Sequence, residues 1–552
     1  MNGGTCNYRL FEKKAGFVLL FGDAIIGKLN KRLTKRRSSV SDNKNIVDTK
    51  AGKLEGKYEG GLYVFKGIPY AAPPVGELRW MPPQPVKPWK DIRPAKEFGT
   101  IAPQNIMPVG PIVHVEQPQS EDCLFLNVWT PGLDNAKRPV MVWIHGGAFA
   151  IGSGSDPQFN SDKLPKKGNI VLVTLNYRLG MLGFLRLKDA TGGKIPSTGN
   201  EGFLDQVAAL QWVKENITAF GGDPKNITVF GESAGGMSIG CLMVMPAAKG
   251  LFQKGILESG VGSVAIPKTE ANKVGDLFLK VSGIKNDNVK AMRALTPSQL
   301  LELETKMKTM GAGPGEAMKI TATTPVADGE VIPDFPITLA RLGAAKGITA
   351  IIGTNLDEWK LFAAMQPGSD RINDAEMMKR LSFIIPGADV KQLIEAYRIA
   401  LQKRGGPVTP AAISSAIQTD IMFRIPALDL VQAQLKNNTP VYNYLFDWKS
   451  PVMGGMFGAC HGLEIGFVFG TYDEMFCGTG PEADKLSECI MDAWIAFART
   501  GNPSAKCLGE WPAYGPKRQT MILGKEIHVE AAPYETERAA WDKVKRQDAV
   551  VI

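Results

Sequence analysis

Histidine and cysteine are both scarce in this chain of 552 residues, and their scarcity limits the chemistry open to it. The seven cysteines form no C-x-x-C pair and no Cys/His group with zinc spacing, which argues against a structural metal and a disulfide framework. Dispersed cysteines of odd number predict reduced thiols and a cytoplasmic location. Imidazole is the usual proton acceptor near neutral pH, so a catalytic base has four candidates: His114, His145, His461 and His528.

Long hydrophobic runs, internal repeats and a clustered basic stripe are also missing from the sequence. The net charge is +9, but Lys and Arg are scattered among Asp and Glu along most of the chain, so we expect no nucleic-acid partner. With 44% hydrophobic and 22% charged residues, the composition is that of a globular protein with a large core.

The first 45 residues are predicted to be an extension, in which a short apolar run interrupted by Asp23 precedes a basic cluster. The run is too short to span a bilayer and lacks the cleavage site of a signal peptide. Over residues 17–37 apolar side chains recur every fourth residue, which predicts a basic amphipathic helix in peripheral contact with an anionic membrane. A helix packed on the protein itself, or a partly disordered arm, is the more ordinary explanation of this pattern.

Residues 46–552 are predicted to form one α/β domain, because apolar β-branched runs alternate with helical patterns. Continuous apolar runs suit strands that are buried on both faces of a mostly parallel sheet. Apolar residues at helical spacing over 201–217 predict a crossover helix, so helices should flank the sheet. The candidate strands are Val140–Ile144, Ile170–Leu175, Ile227–Phe230, Ile348–Gly353 and Val441–Phe446.

A single serine stands among glycines directly behind one of these predicted strands, in the stretch FGESAGG. A strand, a sharp turn and an apolar helical run form the context that the G-x-S-x-G pattern requires. Gly231 and Gly235 would remove side chains that collide with the neighbouring backbone, and the turn would expose the hydroxyl of Ser233. We therefore interpret Ser233 as a nucleophile rather than as part of an ordinary glycine turn.

A second glycine loop, in WIHGGAF, follows another predicted strand. Consecutive glycines leave backbone N–H groups unshielded, so Gly146 and Gly147 can donate to an oxyanion together with the N–H of Ala234. A simple turn is the alternative, which the serine turn makes less attractive. His145 belongs to this loop and is expected to brace it rather than to accept a proton.

Two histidines compete for the role of base. In folds with this serine turn the histidine follows nucleophile and acid along the chain, which leaves His461 and His528. His528 lies in an alternating pattern typical of a partly exposed strand, whereas His461 lies in a loop rich in glycine and aromatic residues that can cover a pocket, so we favour His461. The acid should follow the strand Ile348–Gly353, where spacing alone leaves Asp357 and Glu358 open.

Several stretches occur together in an order typical of one enzyme family. They are FKGIPYAAPPVGELRW, EDCLFLNVWTP, HGGAF, LNYRLGMLGFL, FGGDPKNITVFGESAGG and HGLEIGFVFG. From Val47 to about Trp541 the sequence thereby resembles the type-B carboxylesterase and lipase family of α/β-hydrolases. The resemblance implies the α/β-hydrolase fold with helical insertions around the active site, and a serine mechanism without cofactor or metal.

The resemblance also implies a role for particular positions. It implies a catalytic triad of Ser233, Glu358 and His461. It implies oxyanion donors at Gly146, Gly147 and Ala234. A serine after the next strand supports the acid in this family, which would here be Ser259, and Arg79 and Glu121 occupy positions similar to those of a structural ion pair.

Two departures from the family pattern concern a disulfide and the expected substrate. The usual disulfide partner of Cys123 is replaced by Ala102, so Cys123 is expected to be a free, buried thiol. The segment 101–120 has no tryptophan of the kind that stacks on quaternary ammonium groups, so choline esters are poor candidates.

We therefore expect a serine carboxylesterase that hydrolyses small-molecule esters of short to medium acyl chains through an acyl-enzyme. One alternative is a lipase that uses the N-terminal helix at a membrane surface. Another is a non-catalytic adhesion protein of the same fold, which the retention of serine, glutamate, histidine and oxyanion glycines opposes.

Overall fold

The computed structural model describes residues 45–105, 116–310, 324–387 and 389–544. The predicted amphipathic helix over residues 17–37 lies outside these residues, so that prediction remains open, and His114 lies outside them as well. None of the described helices is long and apolar enough to cross a membrane.

The described strands, in chain order, are few-residue edge strands and longer buried ones. They are β1 (Ile46–Thr49), β2 (Gly52–Glu55), β3 (Lys57–Glu59), β4 (Leu62–Pro69), β5 (Arg93–Pro94), β6 (Phe125–Thr130), β7 (Arg138–Ile144), β8 (Val171–Leu175), β9 (Gly222–Glu232), β10 (Lys254–Glu258), β11 (Ile266–Pro267), β12 (Val326–Ala327), β13 (Thr349–Asn355), β14 (Val441–Phe446), β15 (Gln519–Leu523) and β16 (His528–Ala531).

Eleven of these strands form one sheet in the order β16-β15-β14-β13-β10-β9-β7-β8-β6-β4-β3. The pairs from β15 to β8 are all parallel, and antiparallel pairs occur only towards the two ends. Every residue of β7, β8, β10 and β14 is buried, because helices cover both faces of the parallel part. The predicted mostly parallel, helix-flanked sheet is confirmed.

The described α-helices, apart from a kinked turn at Val452–Gly455, lie between and after these strands. They are α1 (Lys163–Gly168), α2 (Gly180–Phe184), α3 (Glu201–Asn216), α4 (Ala234–Leu242), α5 (Lys268–Ser282), α6 (Val289–Arg293), α7 (Pro297–Met310), α8 (Pro336–Arg341), α9 (Trp359–Ala364), α10 (Asp374–Ile384), α11 (Val390–Lys403), α12 (Pro410–Thr419), α13 (Ile425–Lys436), α14 (Ile465–Phe469), α15 (Pro481–Thr500) and α16 (Glu535–Ala540). A π-helical turn, Asp420–Arg424, joins α12 to α13.

All five predicted strands and the predicted helix over 201–217 are present, as β7, β8, β9, β13, β14 and α3. The alternating pattern around His528 covers two strands, β15 and the fully exposed β16, which pair antiparallel. The two strands differ in burial because β16 is the edge of the sheet.

Two early motifs meet as the resemblance implied. Arg79 Nε donates to Glu121 Oε2 at 2.7 Å, and a second bond joins Arg79 Nη2 to Glu121 Oε1. Cys123 is buried and unpaired, and burial raises the pKa of its thiol. The expectation of a free, buried thiol at this position is therefore confirmed.

A buried ion pair ties the loop after β8 to helix α3. Arg178 donates from Nε and Nη2 to the two carboxylate oxygens of Asp205, each at 2.7 Å, and its backbone N–H donates to the same carboxylate at 3.1 Å. The two side chains are 2% and 0% exposed, so neither charge has water as an alternative partner. The pair therefore fixes the crossover that leads towards β9 and the serine turn.

Replacing Asp205 by Ala should lower the free energy of unfolding by about 3–5 kcal/mol, because it leaves the Arg178 guanidinium buried without its counter-charge. The exposed pair between Lys273 and Glu270 provides the control, since both side chains are about half exposed or more. Glu270→Ala should cost less than about 1 kcal/mol. Urea unfolding followed by tryptophan fluorescence measures both variants; equal losses would contradict the proposed role of the Arg178–Asp205 pair.

Candidate active site

Ser233 occupies a strained turn between β9 and α4. Its φ and ψ of 54° and −122° are unusual for a residue with a side chain. A Cβ atom on Gly231 or on Gly235 would lie 2.5 Å or 2.0 Å from the carbonyl oxygen of Ile144, so neither position admits one. The glycines of the G-x-S-x-G pattern therefore remove the collisions that the sequence predicted.

Neighbouring strand β10 holds this turn in place. The backbone N–H of Ser233 donates to the carbonyl of Glu258 at 2.9 Å. A Cβ atom on Gly260 would lie 2.2 Å from the carbonyl oxygen of Ser233, so this close approach also depends on glycine. The strained conformation is thus imposed by the sheet edge around it.

The glycine loop after β7 lies beside the serine. A Cβ atom on Gly146 would be 3.1 Å from the Cβ of Ser233. Gly147 has a φ of 106° and admits no side chain, because a Cβ atom there would be 2.2 Å from the Ile151 carbonyl oxygen. The backbone N–H groups of Gly146, Gly147 and Ala234 have no acceptor among the described residues. Three unpaired donors near one hydroxyl can donate hydrogen bonds to a developing oxyanion.

His145 supports this loop. Its ring stacks on Tyr177 with a centroid distance of 4.4 Å, and its Nδ1 is 2.8 Å from the carbonyl oxygen of Gly146. Burial lowers the pKa of His145 to about 4, so the ring stays neutral at physiological pH. These contacts agree with a bracing role.

His461 is held by a buried carboxylate. Its Nδ1 is 2.7 Å from Oε2 of Glu358, whose side chain is fully buried. The other oxygen, Oε1, accepts the backbone N–H of Asn355 at 2.7 Å. Asp357, the alternative that spacing left open, instead accepts the N–H of Ala459 at 3.0 Å and pairs with Lys360 at 2.9 Å. The structure therefore brings Glu358, and not Asp357, to the imidazole.

Two phenylalanine rings flank the imidazole of His461. The centroids of Phe423 and Phe362 lie 4.8 Å and 5.1 Å from that of the imidazole. Phe423 belongs to the π-helical turn Asp420–Arg424, an element that often marks functional sites. The rings exclude water from the histidine and restrict its rotation.

The outer nitrogen of His461 faces a second carboxylate. Nε2 is 3.2 Å from Oε1 of Glu232, the residue before Ser233, but this contact lacks hydrogen-bond geometry. The hydroxyl of Ser233 makes no hydrogen bond among the described residues. Nε2 therefore makes no hydrogen bond to Glu232. A hydrogen bond between a catalytic serine and histidine often forms fully only when substrate binds.

The carboxylates around His461 perturb one another. Burial alone would lower the pKa of His461, but Glu232 and Glu358 outweigh it and raise the pKa to about 9. Burial raises the pKa of Glu232 to about 8, and burial with the Glu358 charge raises the pKa of Glu464 to about 7. Protons are therefore shared within this cluster over the neutral pH range.

Ser259, which the resemblance implied as a support for the acid, is connected to Glu358 through other residues. Its hydroxyl donates to Oε1 of Glu464 at 3.2 Å. Glu464 also accepts from Nδ2 of Asn355 at 2.5 Å, and the backbone of Asn355 donates to Glu358. The path from Ser259 to Glu358 thus runs through the side chain of Glu464 and through Asn355, whose backbone makes the last bond.

His528, the other histidine considered as the base, lies in an exposed environment unlike that of His461. It lies on the exposed edge strand β16 with about half of its side chain exposed, near Glu530.

Two carboxylates of the site, Glu232 and Glu464, were not predicted as site residues, although both lie in motifs that were quoted for other residues. Their signals were present, because one precedes the serine and the other follows His461 by three positions. The described residues contain no group of three or more His, Cys, Asp or Glu side chains that could hold a metal ion.

A strained serine, a carboxylate-held imidazole and unpaired backbone donors are the groups that acyl transfer requires. Comparisons with known proteins point the same way. The model of the family described as "Carboxylesterase family" matches residues 43–541. The para-nitrobenzyl esterase of Bacillus subtilis (strain 168) is 40% identical over 503 residues, which cover 89% of this chain and 97% of that protein. The phenmedipham hydrolase of Pseudarthrobacter oxydans is 34% identical over 497 residues, which cover 87% and 95%.

Solved structures agree with the sequence comparisons. A carboxylesterase of Geobacillus stearothermophilus superposes with a TM-score of 0.80 and 38% identity, covering 90% of this chain and all of that one. A structure of a PNB esterase gives a TM-score of 0.78 at 39% identity over the same shares. The predicted α/β-hydrolase fold is confirmed by these neighbours. This chain therefore belongs to the carboxylesterase family and is a hydrolase of carboxylic esters.

Proposed function

We propose that Ser233, His461 and Glu358 form the catalytic triad of this esterase, with an oxyanion hole made by the N–H groups of Gly146, Gly147 and Ala234. The observation that carries the proposal is the 2.7 Å contact between Nδ1 of His461 and Glu358, next to a strained serine turn. This contact fixes the imidazole tautomer that leaves Nε2 free to accept a proton.

In the proposed mechanism, Nε2 of His461 accepts the proton of the Ser233 hydroxyl as its oxygen attacks the ester carbonyl. The glycine loop and Ala234 donate to the oxyanion of the tetrahedral intermediate. His461 then protonates the leaving alcohol, and water releases the acid from the acyl-enzyme by the same steps. Glu358 stabilises the charged imidazolium throughout.

The proposed substrates are small esters of short to medium acyl chains, and the proposed location is the cytoplasm. Free thiols support a reducing location, since all six cysteines that the structure describes are unpaired. The name of the Bacillus relative makes p-nitrobenzyl esters a suitable first choice of alcohol group. The N-terminal extension remains a candidate for peripheral membrane contact.

Ser233→Ala should abolish hydrolysis of a short p-nitrophenyl ester while the fold survives, because no other hydroxyl can form the acyl-enzyme. His528→Ala is the matched control and should keep nearly full activity. Initial rates and far-UV circular dichroism measure the outcome. Retained activity in Ser233→Ala would refute the assignment, and loss in His528→Ala would refute the choice of histidine.

The same assay separates a soluble esterase from the membrane-surface alternative. We expect short and medium acyl esters to react faster than long ones, with no stimulation by anionic liposomes. Preference for long chains that grows with liposomes would instead favour the lipase interpretation.

The rate should fall at acid pH as His461 gains its proton, because only the neutral imidazole accepts the serine proton. Glu232→Gln removes one of the carboxylates that raise the pKa of His461 to about 9, so the acid limb of kcat/KM should move to lower pH. Glu530→Gln, at an exposed position on β16, should leave the limb in place. A pH–rate profile from about pH 5 to 10 measures both variants; an unchanged or upward-shifted limb in Glu232→Gln would contradict the proposed electrostatics.

A further inference from the structure

Two cysteines that lie apart in the sequence are on neighbouring segments of the structure. Cys489 lies on α15, and Cys507 lies in the loop that follows this helix, next to the short bridge between Ala505 and Gly509. Each thiol is close enough to the other to shift its pKa. Both are free thiols in this structure.

The register of α15 supports this contact independently. Sγ of Cys507 is 3.7 Å from Oδ2 of Asp492, which follows Cys489 by three positions on the helix. Residues three apart lie on the same helix face, so Cys507 sits over the face that carries Cys489. Asp492 is itself fixed by Lys167 of α1, at 3.0 Å from its Oδ1.

The two thiols differ in access. Cys507 is exposed, whereas Cys489 is fully buried. The remaining cysteines that the structure describes, Cys123, Cys241, Cys460 and Cys477, are all buried. A reagent from solvent therefore reaches one sulfur among these six, and the neighbouring thiol of Cys489 is buried.

We propose that Cys489 and Cys507 form a redox-active dithiol, a modification site that reacts with small disulfides such as glutathione disulfide. The thiolate of Cys507 attacks one sulfur of the small disulfide, forming a mixed disulfide and releasing one thiolate. The thiolate of Cys489 then attacks the Cys507 sulfur and releases the second. Two protein thiols are oxidised, one small disulfide is reduced to two thiols, and the protein protons pass to the released thiolates.

The surroundings make this exchange slow at neutral pH. Burial, the neighbouring thiol and Asp492 raise the pKa of Cys507 to about 12, and burial raises the pKa of Cys489. Since only the thiolate attacks, the rate should rise on the order of tenfold per pH unit below that pKa. The site is thus suited to oxidation under strong disulfide stress rather than to rapid turnover.

The bond would join α15 to a loop that packs near the centre of the protein. Trp511, at the end of this loop, lies 6.3 Å from the ring of Trp494 on α15. Trp494 in turn donates to the buried carboxylate of Glu258 at 2.7 Å. Oxidation should also raise the unfolding temperature, because it closes the segment between Cys489 and Cys507 in the unfolded chain.

The test uses the full-length protein incubated with glutathione disulfide, blocked with N-ethylmaleimide and digested without reduction. Trypsin separates the two cysteines, since it cuts after Lys485, Arg499, Lys506 and Lys517. Mass spectrometry should find peptides 486–499 and 507–517 joined, with yield rising from pH 7 to pH 9. Cys489→Ser should stop at a glutathione adduct on Cys507, and Cys507→Ser should leave Cys489 unmodified.

Phenylarsine oxide provides a second test without an oxidant, since it condenses with two adjacent thiols and releases water. Wild-type protein should bind one arsenical across both peptides, and neither serine variant should. A persistent glutathione adduct on wild-type Cys507, or the absence of both linked products, would overturn the proposal. Should a serine variant fail to fold, the two wild-type reactions decide alone.

Discussion

The hydrogen bond between Nδ1 of His461 and Glu358 is the interaction on which the rest of the site depends. Both groups are buried, so the carboxylate must be paired, and the backbone N–H of Asn355 satisfies its second oxygen. These contacts join the end of β13 to the loop that carries His461. The edge of the sheet thus sets the orientation of the imidazole relative to the serine turn that follows β9.

Several buried carboxylates share the region of this single imidazole. Among the described residues no Lys or Arg pairs with Glu232, Glu258 or Glu464, so these three carboxylates cannot all be ionised together. Burial raises the pKa of Glu258 well above its ordinary value, in line with a neutral acid that accepts from Trp494. The site therefore balances one imidazolium against a cluster whose protons are mobile near neutral pH.

Local sequence patterns predicted the buried strands and the serine turn. Apolar runs gave the buried strands, and the glycines around Ser233 gave the turn, because both signals lie within a few residues. Contacts between distant segments were not predictable in this way: the choice of Glu358 over Asp357, the partner of Ser259 and the approach of Cys507 to Cys489 all depend on how separate elements pack. The family resemblance implied the first of these, and it implied that Ser259 supports the acid without showing the path through Glu464.

The most direct measurement of this account compares kcat/KM for Glu358→Gln and Asp357→Asn on a short ester. In Glu358→Gln the Asn355 N–H should retain the amide oxygen and turn the amide NH2 towards Nδ1, which moves the imidazole proton to Nε2 and blocks proton transfer from serine. The account predicts a loss on the order of a thousandfold or more for Glu358→Gln and a small change for Asp357→Asn. Similar activities in the two variants, or a larger loss in Asp357→Asn, would contradict it.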